Sequence, residues 1–397
     1  MRICAVTSFP PTVAGVADYG AFLVEELARD GRVEHVTVLA DRVGSAAERE
    51  ATRRVEVLRV WERERADIGI TLDRAIARTN ADVVWFNLGL TMFGTKPAAV
   101  TAMVTPLAAR LRGRRTVVTL HELPQVADLA TLGIGRVRGR LVGGVVLRAL
   151  LRANAVVVTL DRYREHLVHG MGARNVTHVA HQVVQHAEYT DEPEDETVLV
   201  FGTFGPHKDP GLVARAVTKL RVSRPGVRLV VAGADNPRYP GFMDHCRSVH
   251  DLANSWRGYV PRDELPALFA DATVVVVPAR ASTGSSGVIH RAVAHGRAVL
   301  ASDLPDFRAL AREEDLAVEW YRAGDTGSLS DALERLLSDS SRRDALVRHN
   351  RASLARLSPR RMVDSYLAAF GRRDRVPSLA AEGHATGRLA VETVTEA

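Results

Sequence analysis

The sequence predicts an open α/β protein made of two successive parallel-sheet units, and three observations predict it. β-branched runs of about five residues recur, each followed by a longer helical stretch, the pattern of a parallel sheet covered on both faces. The series halts at the acidic, aperiodic segment Gln185–Glu196 and restarts at Thr197. The length, 397 residues, suits two domains at roughly 100–200 residues each.

The first unit opens on the strand Ile3–Thr7, a Pro/Gly loop and an amphipathic helix over Asp18–Arg29. Strands at Val36–Ala40, Val55–Val60, Val83–Asn87, Thr116–Leu120, Ala155–Thr159 and Thr177–Ala180 continue it. The second unit reads as strand Thr197–Gly202, helix Pro210–Arg221, strand Arg228–Ala232, helix Met243–Asn254 and helix Glu264–Ala270. Strand Thr273–Pro278, a Gly/Ser loop, helix Val288–His295 and strand Ala298–Ala301 follow. Pro359–Phe370 places Met362, Tyr366, Leu367 and Phe370 on one helical face, so it is a packed helix. The expected organisation is a domain over 1–184, a linker over 185–196, a domain over 197–356, a returning helix over 357–372 and a mobile tail over 373–397.

Composition narrows the function classes. Hydrophobic residues make up 46% and charged residues 25%, which excludes a wholly disordered chain. Two cysteines, Cys4 and Cys246, allow neither a disulfide framework nor a Cys-rich zinc site. The net charge is +6, and 50 of the 53 basic residues are arginine, leaving Lys96, Lys208 and Lys219. The arginine clusters, Arg110–Arg115, Arg136–Arg152 and Arg360–Arg373, carry no recognised nucleic-acid motif, so no nucleic-acid partner is expected. No apolar run approaches the roughly 20 residues of a membrane helix, and no leader pattern is seen. The expectation is a cytoplasmic protein, with peripheral contact of its basic helices at the inner membrane left open.

Four loops carry residues suited to chemistry. The first, Pro10–Gly20, contains Gly15, Val16, Asp18 and Tyr19. Gly15 admits close backbone approach by a ligand, and the helix start behind it favours negative charge. It is not GxGxxG, and it equally suits a plain strand–helix turn. The strand Thr116–Leu120 delivers His121 into the cleft, and Asn87 holds the equivalent place on a neighbouring strand; either reads as a cleft residue or as a satisfied strand end. The restart strand runs into Gly202, Thr203, Gly205, His207 and Lys208, where exposed amides and a lysine suit a diphosphate. The segment Thr283–Gly287, TGSSG, opens a helix with small and hydroxyl residues, an arrangement for anions and sugar hydroxyls. No GxxxxGK[ST] motif is present.

Taken in order, these pieces resemble the retaining GT-B glycosyltransferases, particularly glycosyltransferase family 4, up to about Phe370. The resemblance rests on Gly15–Tyr19, the strand end at His121, Phe201–Lys208, Val230–Gly233, Gly258–Val260, Asp271–Pro278 and Ala292–Ser302. It implies two Rossmann-like domains facing a central cleft, a C-terminal helix crossing back to the N-terminal domain, and a nucleotide-sugar held mostly by the C-terminal domain. It further implies Lys208 on the diphosphate, His121 facing the donor sugar, amides of Gly284, Ser285, Ser286 and Gly287 on sugar and phosphate, and Tyr259 and Val260 near the base. Gly15, Val16, Asp18, Tyr19 and Asn87 would shape the acceptor side.

Two departures stand out. Thr203 occupies the place of the family's usual arginine, and Thr283 and Arg291 replace its two glutamates, eight positions apart. The TGSSG loop is similar to that of a family subgroup without the paired glutamates. The resemblance thus implies a retaining transferase with catalytic His121 and Lys208, moving a sugar to a small-molecule or lipid-linked acceptor in natural-product or cell-envelope glycan assembly. No cofactor and no metal are expected, the nucleotide-sugar being a substrate, and front-face attack with the leaving diphosphate taking the acceptor's proton is the family's usual account. A GT-B epimerase and a silent nucleotide-sugar-binding paralogue are the alternatives.

Overall fold

A computed structural model describes residues 1–44, 46–126, 129, 135–181, 189–250, 255–281 and 284–371, apart from the side chains of 98, 136 and 138. The first sheet contains β1 (Arg2–Val6), β2 (His35–Asp41), β3 (Arg49–Ala51), β4 (Val55–Trp61), β5 (Val83–Leu88), β6 (Thr116–Leu120), β7 (Ala155–Val158) and β8 (Val176–His178). Their spatial order is β3-β4-β2-β1-β5-β6-β7-β8, with only the β3–β4 pair antiparallel. β1, β5, β6 and β7 are apolar almost throughout and buried on both faces, as interior strands of a parallel sheet must be. The helices of this unit are α1 (Gly15–Arg29), α2 (Ile68–Arg78), α3 (Pro97–Val100), α4 (Thr105–Leu111), α5 (Arg136–Leu150) and α6 (Asp161–Met171). Gly172, at φ +68°, caps α6 in the left-handed conformation.

The second sheet, all parallel, contains β9 (Thr197–Phe204), β10 (Arg228–Asp235), β11 (Trp256–Gly258), β12 (Val274–Val277), β13 (Ala298–Ser302) and β14 (Glu319–Tyr321) in the order β11-β10-β9-β12-β13-β14. Its helices are α7 (Pro210–Leu220), α8 (Phe242–Val249), α9 (Leu265–Ala270), α10 (Gly287–Ala294), α11 (Pro305–Glu313), α12 (Thr326–Ser338) and α13 (Ser340–Leu354). Asp209 caps α7 by accepting from the Leu212 amide at 2.9 Å, ahead of Pro210 in the first helical turn.

The last helix, α14 (Pro359–Gly371), lies on the first sheet although it follows the second in the chain. The Tyr366 hydroxyl bonds those of Tyr19 at 2.8 Å and Thr119 at 2.9 Å, and its ring meets Trp85 edge-on. Arg115 donates to the carbonyls of Ala369 and Phe370 at the helix end.

Several boundaries differ from the sequence reading. α8 stops at Val249, and 251–254 lie outside the described residues, as do the expected tail from 373 and the start of the expected linker. The described part of that acidic segment is fastened to the second unit: Glu192 pairs with Arg343, and Arg351 stacks on Tyr189. β3, β11 and β14 are three-residue edge strands too short to show a period. β9 runs on to Phe204 because Gly202 and Gly233 face each other across β9 and β10, both at positive φ. A Cβ on Gly233 would stand 1.8 Å from the Gly202 carbonyl oxygen, so the strands extend side by side only as glycines.

Candidate functional site

Parallel sheets bind ligands beyond the carboxyl ends of their strands, where the strand order reverses. In the first sheet the reversal falls between β1 and β5; in the second, between β9 and β12. The loops leaving these four strands line one cleft of about 800 Å³: Pro11–Val16 after β1, Gly89–Met92 after β5, the end of β9 with His207 and Lys208, and Ala279, Ala281 and Gly284–Gly287 after β12.

Lys208 is set by a tight turn. Its amide donates to the Gly205 carbonyl at 2.8 Å, and the next amide, Asp209, donates to Pro278 at 2.8 Å. This turns the lysine back over β9, where its Nζ would stand 2.7 Å from a Cβ on Gly202. Burial lowers its pKa to about 8. Burial, followed by the charges of Lys208 and Arg238, lowers His207 to about 4. Arg280 does not share this site: it is exposed and paired with Asp209 at 2.6 Å.

Opposite Lys208, the amino end of α10 is capped by the Ser286 hydroxyl, which accepts from the Ile289 amide. Ser285 Oγ, His207 Nδ1 and His181 Nδ1, all on residues lining the cleft, are buried with no hydrogen-bond partner among the described residues. The Gly284 amide is already engaged, donating to Asp306 Oδ2 at 3.1 Å. Asp306 also accepts from Tyr163 at 2.7 Å and from Arg162 at 2.6 Å, so α6 of the first unit grips the loop of the second. Gly284 rests on β6 as well, because a Cβ there would lie 2.0 Å from the His121 carbonyl oxygen.

His121 reaches the cleft from the end of β6. Asn87 donates through Nδ2 to Thr7 Oγ1 and the Val16 carbonyl, both at 3.0 Å, which leaves its Oδ1 to accept from His121 Nε2 at 2.7 Å. Burial lowers the His121 pKa to about 4, so the ring is a neutral Nε2–H tautomer with Nδ1 as an acceptor. A second histidine, His181, packs between Tyr19 and His290 at centroid distances of 4.8 and 5.3 Å. His290 donates from Nδ1 to the Ser286 carbonyl at 2.9 Å and from Nε2 to Glu314 at 2.6 Å. Burial opposes the charge on His290, but Glu314 and these bonds outweigh it and raise the pKa, favouring the protonated ring beside Glu314.

The cleft therefore gathers Gly15, Val16, Asp18, His121, Gly202, Thr203, His207, Lys208, Gly284, Ser285, Ser286, Gly287 and Arg291. Other expected residues stand off its wall. Tyr19 is buried beneath it, bonded to Tyr366, and Asn87 is buried behind His121. Gly205 is in the turn below Lys208, and Tyr259 and Val260 follow β11 away from the cavity, with Tyr259 exposed. Thr283 lies outside the described residues. Arg291 crosses the cleft to Asp18 at 3.4 Å. Arg42, Arg63 and Arg238 also line the cavity, hidden in the sequence among dispersed arginines. Among the described residues, no helix is long and apolar enough to cross a membrane.

Residues 195–339 match the profile of a family described as "Glycosyl transferases group 1". No curated protein matches the chain by sequence. Among solved structures, the chain is similar to a sucrose-phosphate synthase from Thermosynechococcus elongatus, at TM-score 0.71 and 16% identity over 93% of this chain and 98% of that one. HepE from Anabaena in complex with UDP-glucose gives TM-score 0.67 and 15% identity over 93% and 100%. A UDP-forming α,α-trehalose-phosphate synthase from Burkholderia xenovorans gives 0.65 and 14% over 93% and 98%. At such identities the likeness is one of architecture, and the chain has the GT-B fold, two Rossmann-like units facing one cleft.

Proposed function

We propose that the protein is a retaining glycosyltransferase that takes a sugar from a nucleotide-diphosphate donor and passes it to an acceptor hydroxyl. The observation that carries this reading is the placement of the Lys208 ammonium over Gly202, facing the capped amino end of α10 across the switch point of the second sheet. A lysine and helix-terminal amides converging at a strand reversal suit a diphosphate. The group 1 glycosyl transferase profile covers this same unit, and structural neighbours include one in complex with UDP-glucose.

In this reading the residues act by electrostatics. Lys208, the amides at the start of α10 and the imidazolium of His290 behind Ser286 stabilise charge developing on the leaving diphosphate without a metal. Neutral His121, held by Asn87, accepts a hydrogen bond from the donor sugar through Nδ1. Losing one such preorganised group typically costs about 3–4 kcal/mol, or roughly 10²–10³ in rate. A second reading, nucleotide-sugar binding without transfer, draws on Arg291, which pairs with Asp18 where the family usually carries a glutamate.

A thermal-shift panel of UDP-, GDP-, ADP- and dTDP-sugars tests donor binding. A ligand at 100 times its dissociation constant stabilises by roughly 2.7 kcal/mol, and Lys208→Ala should remove the shift while the variant stays folded. No shift with any nucleotide overturns the reading. Binding without release of nucleotide diphosphate across an acceptor panel favours the silent alternative.

A further inference from the structure

Beside the cleft, in the first unit, lies a second cavity of about 120 Å³ whose walls are mainly apolar, supplied by residues such as Leu88, Met103, Leu120, Leu129 and Leu147. It adjoins the cleft, since Gly89, Leu90, Thr91 and Glu122 line both. The junction is polar: the Glu122 carboxylate accepts the Leu90 amide at 3.0 Å, one residue from His121.

One wall is α5. Gly139, Val142, Gly143, Val146, Leu147 and Leu150 recur at helical spacing and form the face that lines the groove. Gly143 is required for the approach of Pro124, whose Cβ would lie 2.5 Å from a Cβ there. Glycines inside a helix weaken it by roughly 1 kcal/mol each relative to alanine, so a bare wall is maintained against helix propensity. On the outer face of the same helix, Val137, Leu141 and Val145, one turn apart, are 73%, 68% and 67% exposed.

We infer that this groove receives the hydrocarbon part of an amphiphilic acceptor, whose hydroxyl-bearing end lies at the Glu122 junction beside His121. The inference rests on the transferase reading for the hydroxyl's purpose, and on the groove's own walls and the residues it shares with the cleft for the acceptor's class. Transferring hydrocarbon from water into such walls strengthens binding by about threefold to fourfold per methylene.

The test uses the full chain and the fluorescent hydrocarbon probe N-phenyl-1-naphthylamine, with n-octyl and methyl β-D-glucoside as competitors. The expected result is that the wild type binds the probe and that the octyl but not the methyl glucoside displaces it. Val142→Trp, which fills the groove from a half-exposed position, should weaken probe binding at least tenfold while keeping the nucleotide-induced thermal shift. Val142→Asp, a charge in the same wall, should do likewise if tryptophan disturbs folding. Hexadecyl β-D-glucoside held in phosphatidylcholine vesicles separates a bilayer-held acceptor from a dissolved one. Displacement in neither arm, or probe affinity unchanged in both variants, overturns the inference. So does a change in oligomeric state without a change in probe affinity, which would assign the groove to a second copy of the chain. A wild type that binds the probe but no nucleotide would instead sink the donor reading and leave the groove's hydrocarbon preference standing.

Discussion

Asp306 Oδ2 accepts the Gly284 amide at 3.1 Å while the same carboxylate holds Tyr163 and Arg162 from the first unit. One buried side chain thus ties the loop at the head of α10 to the packing of the two units. Asp306→Ala should leave Tyr163 and Arg162 without their acceptor and lower stability by about 3 kcal/mol. Nucleotide affinity should fall as well, because the loop loses its anchor. Differential scanning fluorimetry with and without UDP reads both effects, and a variant with wild-type affinity would separate the anchor from the ligand site.

Lys208 makes nucleotide binding depend on pH. Its pKa is lowered to about 8, so the cation is present below that pH and is lost as pH rises through it. If the charged form is the one that binds, UDP affinity should be flat near pH 7 and weaker by at most about thirtyfold at pH 9.5, by the proton-binding factor for that pKa. Titration calorimetry checks this, and Lys208→Arg should flatten the profile across the same range.

His290 and Glu314 predict a pH-dependent contribution to stability. The folded pKa of His290 is raised, so its stabilisation is fully present below the ordinary histidine value of about 6.5 and is lost as pH rises through the folded value. Both side chains are buried, and Glu314→Gln should cost about 3–5 kcal/mol near pH 6. Denaturant titrations at pH 6 and pH 9 should show the gap between variant and wild type narrowing at the higher value.

Tyr366→Phe removes a buried hydroxyl that bonds both Tyr19 and Thr119. The expected loss is about 1–3 kcal/mol, read as a lower Tm with donor binding retained. An unchanged Tm would mean that water satisfies the two hydroxyls left behind.

The sheets were legible because buried parallel strands announce themselves as Val-rich runs: Thr116–Leu120 and Val274–Val277 stand within a residue of expectation. The location of Lys208 at the cleft was legible too, since it lies in the short turn after β9. What escaped the sequence depends on distant partners. Asp306 meets Arg162 across 144 residues, and Tyr19 is claimed by Tyr366 across 347, so its place in a promising loop says nothing of its burial. His181 and Glu314 carry no local signal at all: His181 gains its neighbour His290 only when the two units meet, and Glu314 gains His290 only when the second unit folds. The groove along α5 was equally hidden, because Gly139 and Gly143 read as helix-weakening residues until the wall they line is seen.

The lodging of α14 against β6 and β7 bears on the order of synthesis. Met362, Tyr366 and Phe370 complete the apolar layer around Trp85 and Val117, yet they are made after the entire second sheet. A ribosome that has released the first 180 or so residues has released a sheet with part of one face, beside α1, still wet. That face closes only when the last helix is threaded back, so the finished first unit is the final product of translation rather than its first.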